Sequence, residues 1–143
     1  MIDCRKGQIV RKITSATKIP VGPYLLVVKT AKPAMLVEAF DSTAPRNLKD
    51  KKFIISMHNA MLVRKETLPI DDRQLERIKA GKLLCVQNSA KYLSWKNLLR
   101  NPPEIIRFKA RRGFGEVYIV VDSIREEVSL NEKIIRIIIN RVI

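Results

Sequence analysis

Apolar and polar positions alternate in short bursts along the first 70 residues, and the bursts are the length of β-strands. Gln8 to Ile13, Tyr24 to Lys29, Ala34 to Phe40, Lys52 to Met57 and Met61 to Lys65 each carry this pattern. Pro20-Val21-Gly22-Pro23 and Pro33 break the runs, and Asp41 to Asp50 has the Ser, Thr, Pro and Asn content of a surface loop. The last two runs read as a hairpin around His58-Asn59. Short strands at this spacing predict a small, strongly bent sheet or barrel.

The period changes near Pro69. Asp71 to Gly81 has an acidic start, a basic end and a terminal glycine, with Leu75 and Ile78 on one helical face. A strand over Lys82 to Gln87 and a helix over Ala90 to Arg100 follow, stopped by Asn101-Pro102-Pro103. Glu104 to Ala110 and Gly115 to Val121 read as strands, and Ile134 to Asn140 as the last one. Between them two readings stand. Ser123-Ile124-Arg125-Glu126 fits a capping box opening a short helix. Val128-Ser129-Leu130 instead alternates like a strand, with Asn131-Glu132 as a hairpin turn into Ile134. The boundary at residue 70 divides the chain into 1–70 and 71–143.

Charge then narrows the function. Lys and Arg number 28 against 14 Asp and Glu, a net +14 spread over both halves. Self-repulsion on that scale is relieved by a polyanion, which also releases counterions on binding. Nucleic acid is therefore the expected partner. The densest basic run interleaves with aromatics, from Arg107 through Lys109, Arg111, Arg112 and Phe114 to Tyr118. Cations there suit phosphate, and flat rings suit unpaired bases. Lys51 and Lys52 form a second basic pair, able to hold phosphate without reading sequence. Phe114 and Tyr118 also fit ordinary packing, and Trp95 lies with Tyr92 and Leu99 at the spacing of a buried helix face.

Arg112-Gly113-Phe114-Gly115-Glu116-Val117-Tyr118-Ile119 resembles the longer signature of the RNA recognition motif, and Leu84-Cys85-Val86-Gln87-Asn88-Ser89 its shorter one. Strand alternation places Gly115, Val117 and Ile119 toward a core and Phe114, Glu116 and Tyr118 on the opposite face. The resemblance implies that Phe114 stacks a base. Glu116 and Cys85 depart from it by standing where the family carries aromatics. If residues 128–134 form a hairpin, the second half is similar instead to PUA-like barrels, which also often bind RNA. Gly7-Gln8-Ile9-Val10-Arg11-Lys12 with Gly22-Pro23-Tyr24-Leu25-Leu26-Val27-Val28 resembles the opening of an SH3-like barrel. These resemblances imply an α+β chain, a small N-terminal β-barrel-like sheet followed by a ferredoxin-like or PUA-like α+β half.

Other chemistry has little support. No phosphate-loop or dinucleotide fingerprint is present, and a cofactor is not expected. With one histidine and no close cysteine pair, neither is a structural metal site. Cys4 and Cys85 suit a reducing compartment. No secretion signal or run approaching ~20 apolar residues occurs, so the expectation is a soluble intracellular protein, cytoplasmic or within a virion, with no membrane. The leading expectation is a non-catalytic binder of RNA or single strands. The alternative is a structural or assembly component of a nucleoprotein particle, held among protein neighbours. The third is a small metal-dependent nuclease using acids drawn from Asp71, Asp72, Glu104, Glu116 and Asp122.

Overall fold

The computed structural model describes residues 2–14, 16–81, 85–88, 92–130 and 132–143, with 85–88 and 92–94 described by their backbone alone. The chain divides into two compact units, one running to Arg64 and including Ile143, the other Lys65–Val142. Among the described residues, no helix is long and apolar enough to cross a membrane.

The first unit is an antiparallel sheet of β1 (Ile9–Ile13), β2 (Pro20–Ala31), β3 (Ala34–Glu38), β4 (Lys52–Ser56) and β5 (Ala60–Val63). Its spatial order is β4-β3-β2-β1-β5. Register shifts at Val10/Lys12 and Val27/Lys29 bend the strands. Val10, Leu25, Val27, Met35, Val37, Ile55 and Met57 pack as its core. The hairpin expected around His58-Asn59 does not form. The Ser56 hydroxyl accepts from the His58 backbone N–H at 3.2 Å and caps a 3-10 turn over Met57–Asn59. That turn redirects the chain, so β4 pairs with β3 and β5 with β1, at opposite edges of the sheet.

The second unit contains β6 (Lys65–Ile70), α1 (Asp72–Lys79), β7 (Cys85–Asn88), α2 (Tyr92–Arg100), β8 (Ile105–Ala110), β9 (Glu116–Ser129) and β10 (Glu132–Val142). The strands run in the order β6-β8-β9-β10-β7. The β6–β8 pair is parallel, and the β8–β9, β9–β10 and β10–β7 pairs are antiparallel. Asp71 caps α1, its carboxylate accepting from the Gln74 N–H at 2.8 Å. Leu75 and Ile78 of α1 and Trp95 and Leu98 of α2 pack on Leu68, Ile70, Ile106, Phe108, Val117, Ile119, Ile135 and Ile137. Trp95 is thus a core residue, its ring 6.3 Å from that of Phe108.

These elements overturn the expected α+β class with its ferredoxin-like or PUA-like half. Among the described residues the protein is mostly β, 55% strand and 13% helix. The segment that a capping box at Ser123 would turn into a helix is continuous with β9, matched residue by residue with β10 from Ser123↔Ile138 to Ser129↔Glu132. Fourteen residues of β9 bonded to a neighbour outweigh a local Ser-x-x-Glu preference. The two signature-like strings also lie on strands that do not adjoin, because β10 separates β7 from β9. Leu84, Ser89 and Asn131, expected in a turn, lie outside the described residues, as do the side chains of Cys85, Gln87 and Tyr92.

Candidate nucleic-acid interface

Alternation along β8 and β9 sorts the basic-aromatic run. Phe108, Val117 and Ile119 are buried beneath the helices. Arg107, Lys109, Glu116 and Tyr118 therefore emerge on the opposite face. Cross-strand pairing sets Thr67, Arg107 and Tyr118 in one row and Pro69, Lys109 and Glu116 in the next. At the Ile105 end this face is buried, and Lys109 at the other end is exposed.

Between the rows, Arg107 Nε donates to Glu116 Oε2 at 2.6 Å, and Nη2 of the same guanidinium reaches the same oxygen. This charge-assisted pair commits Arg107 to a carboxylate. Its neighbours sense both charges. Burial pushes the Tyr118 phenol pKa up, Glu116 adds to the rise, and Arg107 opposes it. The phenol is therefore a neutral ring with a hydrogen-bonding tip at physiological pH. Burial lowers the Lys65 pKa, with Arg107 acting in the same direction and Glu116 against. Lys65 and Thr67 thus join the site through β6, which the sequence reading did not assign to it. The signal was present: buried Leu68 and Ile70 alternate with Lys65, Thr67 and Pro69.

Beyond this face, the β8–β9 connection carries Arg111, Arg112 and Phe114. The Ala110 N–H donates to the Gly115 carbonyl at 2.8 Å, and the Arg111 N–H to that of Ile70 at 3.0 Å, which ties the loop to the end of β6. Gly113 turns the chain at φ +101°, a region costly for other residues. Gly115 fits against α1 where a Cβ would lie 2.7 Å from Leu75 Cδ2. With the chain so fixed on either side, Phe114 projects fully into solvent, at 103% of its reference exposure. Arg111 and Arg112 are exposed beside it. Phe114 is not a core residue.

Six of the eight predicted site residues thus belong to the second unit: Arg107, Lys109 and Tyr118 on the sheet face, and Arg111, Arg112 and Phe114 in the loop. Lys51 and Lys52 belong to the first unit, where Lys52 opens β4 opposite Glu38. Of the candidate acids, Asp71 caps α1 and Glu116 holds Arg107. No group of three His, Cys, Asp or Glu able to hold a metal occurs among the described residues. A buried carboxylate that sequence reading missed, Asp41, accepts from the backbone N–H groups of Tyr24 at 3.2 Å and Thr43 at 3.0 Å. Its position inside a polar loop gave no sign of burial.

No protein-family model, curated protein or solved structure matches the chain.

Proposed function

We propose that the protein binds nucleic acid without catalysing a reaction, and that RNA or another single strand is the preferred class. The observation carrying this reading is Phe114, fully exposed two residues from Arg111-Arg112 in a loop that continues the face bearing Lys109. An aromatic side chain left in water forgoes roughly 1.5–3 kcal/mol of burial. A stacked base recovers much of that, and stacking tolerates any base because each has a flat face. Lys109, Arg111 and Arg112 supply phosphate contacts, whereas Arg107 contributes only as far as Glu116 releases it. Tyr118 offers a second, half-buried ring.

The test is affinity for a short single-stranded RNA and its DNA counterpart across a salt series. Binding should be present at low salt and weaken steeply with added salt; absence of binding, or indifference to salt, overturns the proposal. Phe114→Ala should weaken binding by about 1–3 kcal/mol while leaving stability unchanged. A second reading, an assembly component of a nucleoprotein particle, draws support from apolar side chains exposed elsewhere, at Ile54, Val128 and Leu130. It expects weak binding to isolated strands and co-purification with particles.

A further inference from the structure

One exposed apolar feature takes no part in that surface: the outer edge of the first unit's sheet. β4 pairs with β3 on one side only and so presents a row of backbone groups on the other. Such edges are commonly guarded by charge, yet this one carries Ile54 at 73% exposure. Three hollows share Ile54 as a wall. One, about 280 Å³, is bounded by Ala31, Ala34, Met35 and Leu36, with Lys29 at its side. Another, about 480 Å³, runs past Ile13 and Ser56 to Lys12. The third, about 200 Å³, continues to Pro33.

The two faces of this edge differ. Ladder pairing sets Ile54 beside Leu36 and Leu36 beside Lys29, all on one face. Phe53 points the other way, onto the core, and the Lys12 ammonium lies 5.8 Å from its ring centroid. The first face is thus apolar beside the edge, and the second is cationic. No acid lines any of the three hollows. Lys12 stands opposite Val21 and Ala60, and Lys29 opposite Leu36. Asp3 pairs with Lys32 at 2.9 Å, Asp41 is buried against backbone N–H groups, and Asp50 lies in the connection before β4. Glu38 alone enters the β3–β4 ladder, opposite Lys52. The margin of the groove therefore keeps its positive charge.

We propose that β4 is a docking edge for an extended acidic segment of a partner protein, in which apolar residues alternate with glutamate or aspartate. The segment joins the sheet as a further strand, its backbone pairing with the open row of β4. Its side chains then fall alternately on the two faces. Apolar ones cover Ile54 and fill the hollow beside Leu36. The carboxylates between them meet Lys12, and Lys29 and Lys52 add to the attraction. A nucleic-acid strand shares the negative charge but has no alternating N–H and C=O groups to answer the edge. Docking here is independent of nucleic-acid binding by the second unit.

Titration of the isotope-labelled, nuclease-treated full chain with a blocked synthetic peptide of four Glu-Val repeats, followed by NMR, tests this. Amide shifts should move along Lys52 to Ser56 and Ala34 to Leu36 and stay constant in β8 and β9. A peptide of four glutamates followed by four valines has the same charge and composition, and should bind at least tenfold more weakly. Four Lys-Val repeats should not bind. Ile54→Asp should weaken binding of the alternating peptide at least tenfold, with wild-type circular dichroism because the position is exposed; Ile54→Ser serves if the aspartate variant misfolds. Lys12→Glu should lower both the affinity and its salt dependence. Absence of binding by the alternating peptide, equal binding of the block peptide, or Ile54 or Lys12 variants that bind as wild type does would each overturn the proposal. So would an oligouridylate that moves the same β4 amides as strongly, since the groove would then take nucleic acid.

Discussion

The two units each use five strands, yet they bury and expose different things. The first packs small and medium side chains, among them Ala39, Ala60, Val37 and Met35, inside the bend of its own sheet. The second lays α1 and α2 against one sheet face and fills the layer with Trp95, Phe108 and a set of isoleucines. Helices on one face leave the other to carry charge. Arg107, Lys109, Glu116 and Tyr118 can share a face because Phe108, Ala110, Val117 and Ile119 point the opposite way, into the core. A sheet that encloses its own core presents its margins instead, and the edge at Ile54 is such a margin.

The largest expected effects separate the two cores. Phe108→Ala removes a fully buried ring and should cost about 3–5 kcal/mol. Trp95, the chain's one tryptophan and 6.3 Å from that ring, reports the loss in a denaturant titration followed by fluorescence. Met35→Ala, buried in the first unit, should cost about 2–5 kcal/mol and leave the Trp95 transition unmoved. If both variants shift that transition equally, the units unfold as one and the contrast between them fails.

A steric test bears on the second unit alone. Gly115 has room for no Cβ, because Leu75 Cδ2 would be 2.7 Å away. Gly115→Ala should therefore destabilise by about 1–3 kcal/mol through overpacking. The same change in a Leu75→Ala background should cost much less. An equal cost in both backgrounds would mean that the glycine answers to something other than α1.

How far the sequence anticipates these features depends on how local their causes are. Alternation alone separates Val117 and Ile119 from Glu116 and Tyr118, and the α1 ends follow from Asp71 and Gly81. Pairing is another matter. Nothing near Lys52 or Met61 says that their strands go to opposite edges, since the decision is made by a three-residue turn and by partners tens of residues away. The parallel contact that brings Lys65 and Thr67 beside Arg107 is equally remote in sequence. Ser123 to Glu126 satisfies a helix-capping rule and still becomes strand, because β10 offers a continuous ladder. Asp41 looks like any loop acid until the backbone of Tyr24 is brought to it.

That carboxylate gives the next test, in the first unit. Asp41→Ala removes the acceptor for the Tyr24 and Thr43 N–H groups and should cost about 1–3 kcal/mol. Hydrogen exchange should rise at Thr43 and along its loop, and amides in β8 and β9 should be unaffected. Loss of protection in β8 would show that the loop supports more than its own unit.

The smallest effect on stability carries the most information about the charged face. Glu116 and Arg107 form a partly exposed pair, and Glu116→Gln should change stability by no more than about 1 kcal/mol. Its effect on binding runs the other way from an ordinary loss of contact. The substitution removes a negative charge from the face and frees the Arg107 guanidinium for phosphate. Affinity for a single strand should rise, and the salt dependence should steepen by roughly 0.7 in the log–log slope, one added phosphate contact. Arg107→Gln in the same background should cancel the gain. A Glu116→Gln protein that binds more weakly than wild type would mean that the strand does not pass over this face, and would confine the interface to the Arg111–Phe114 loop.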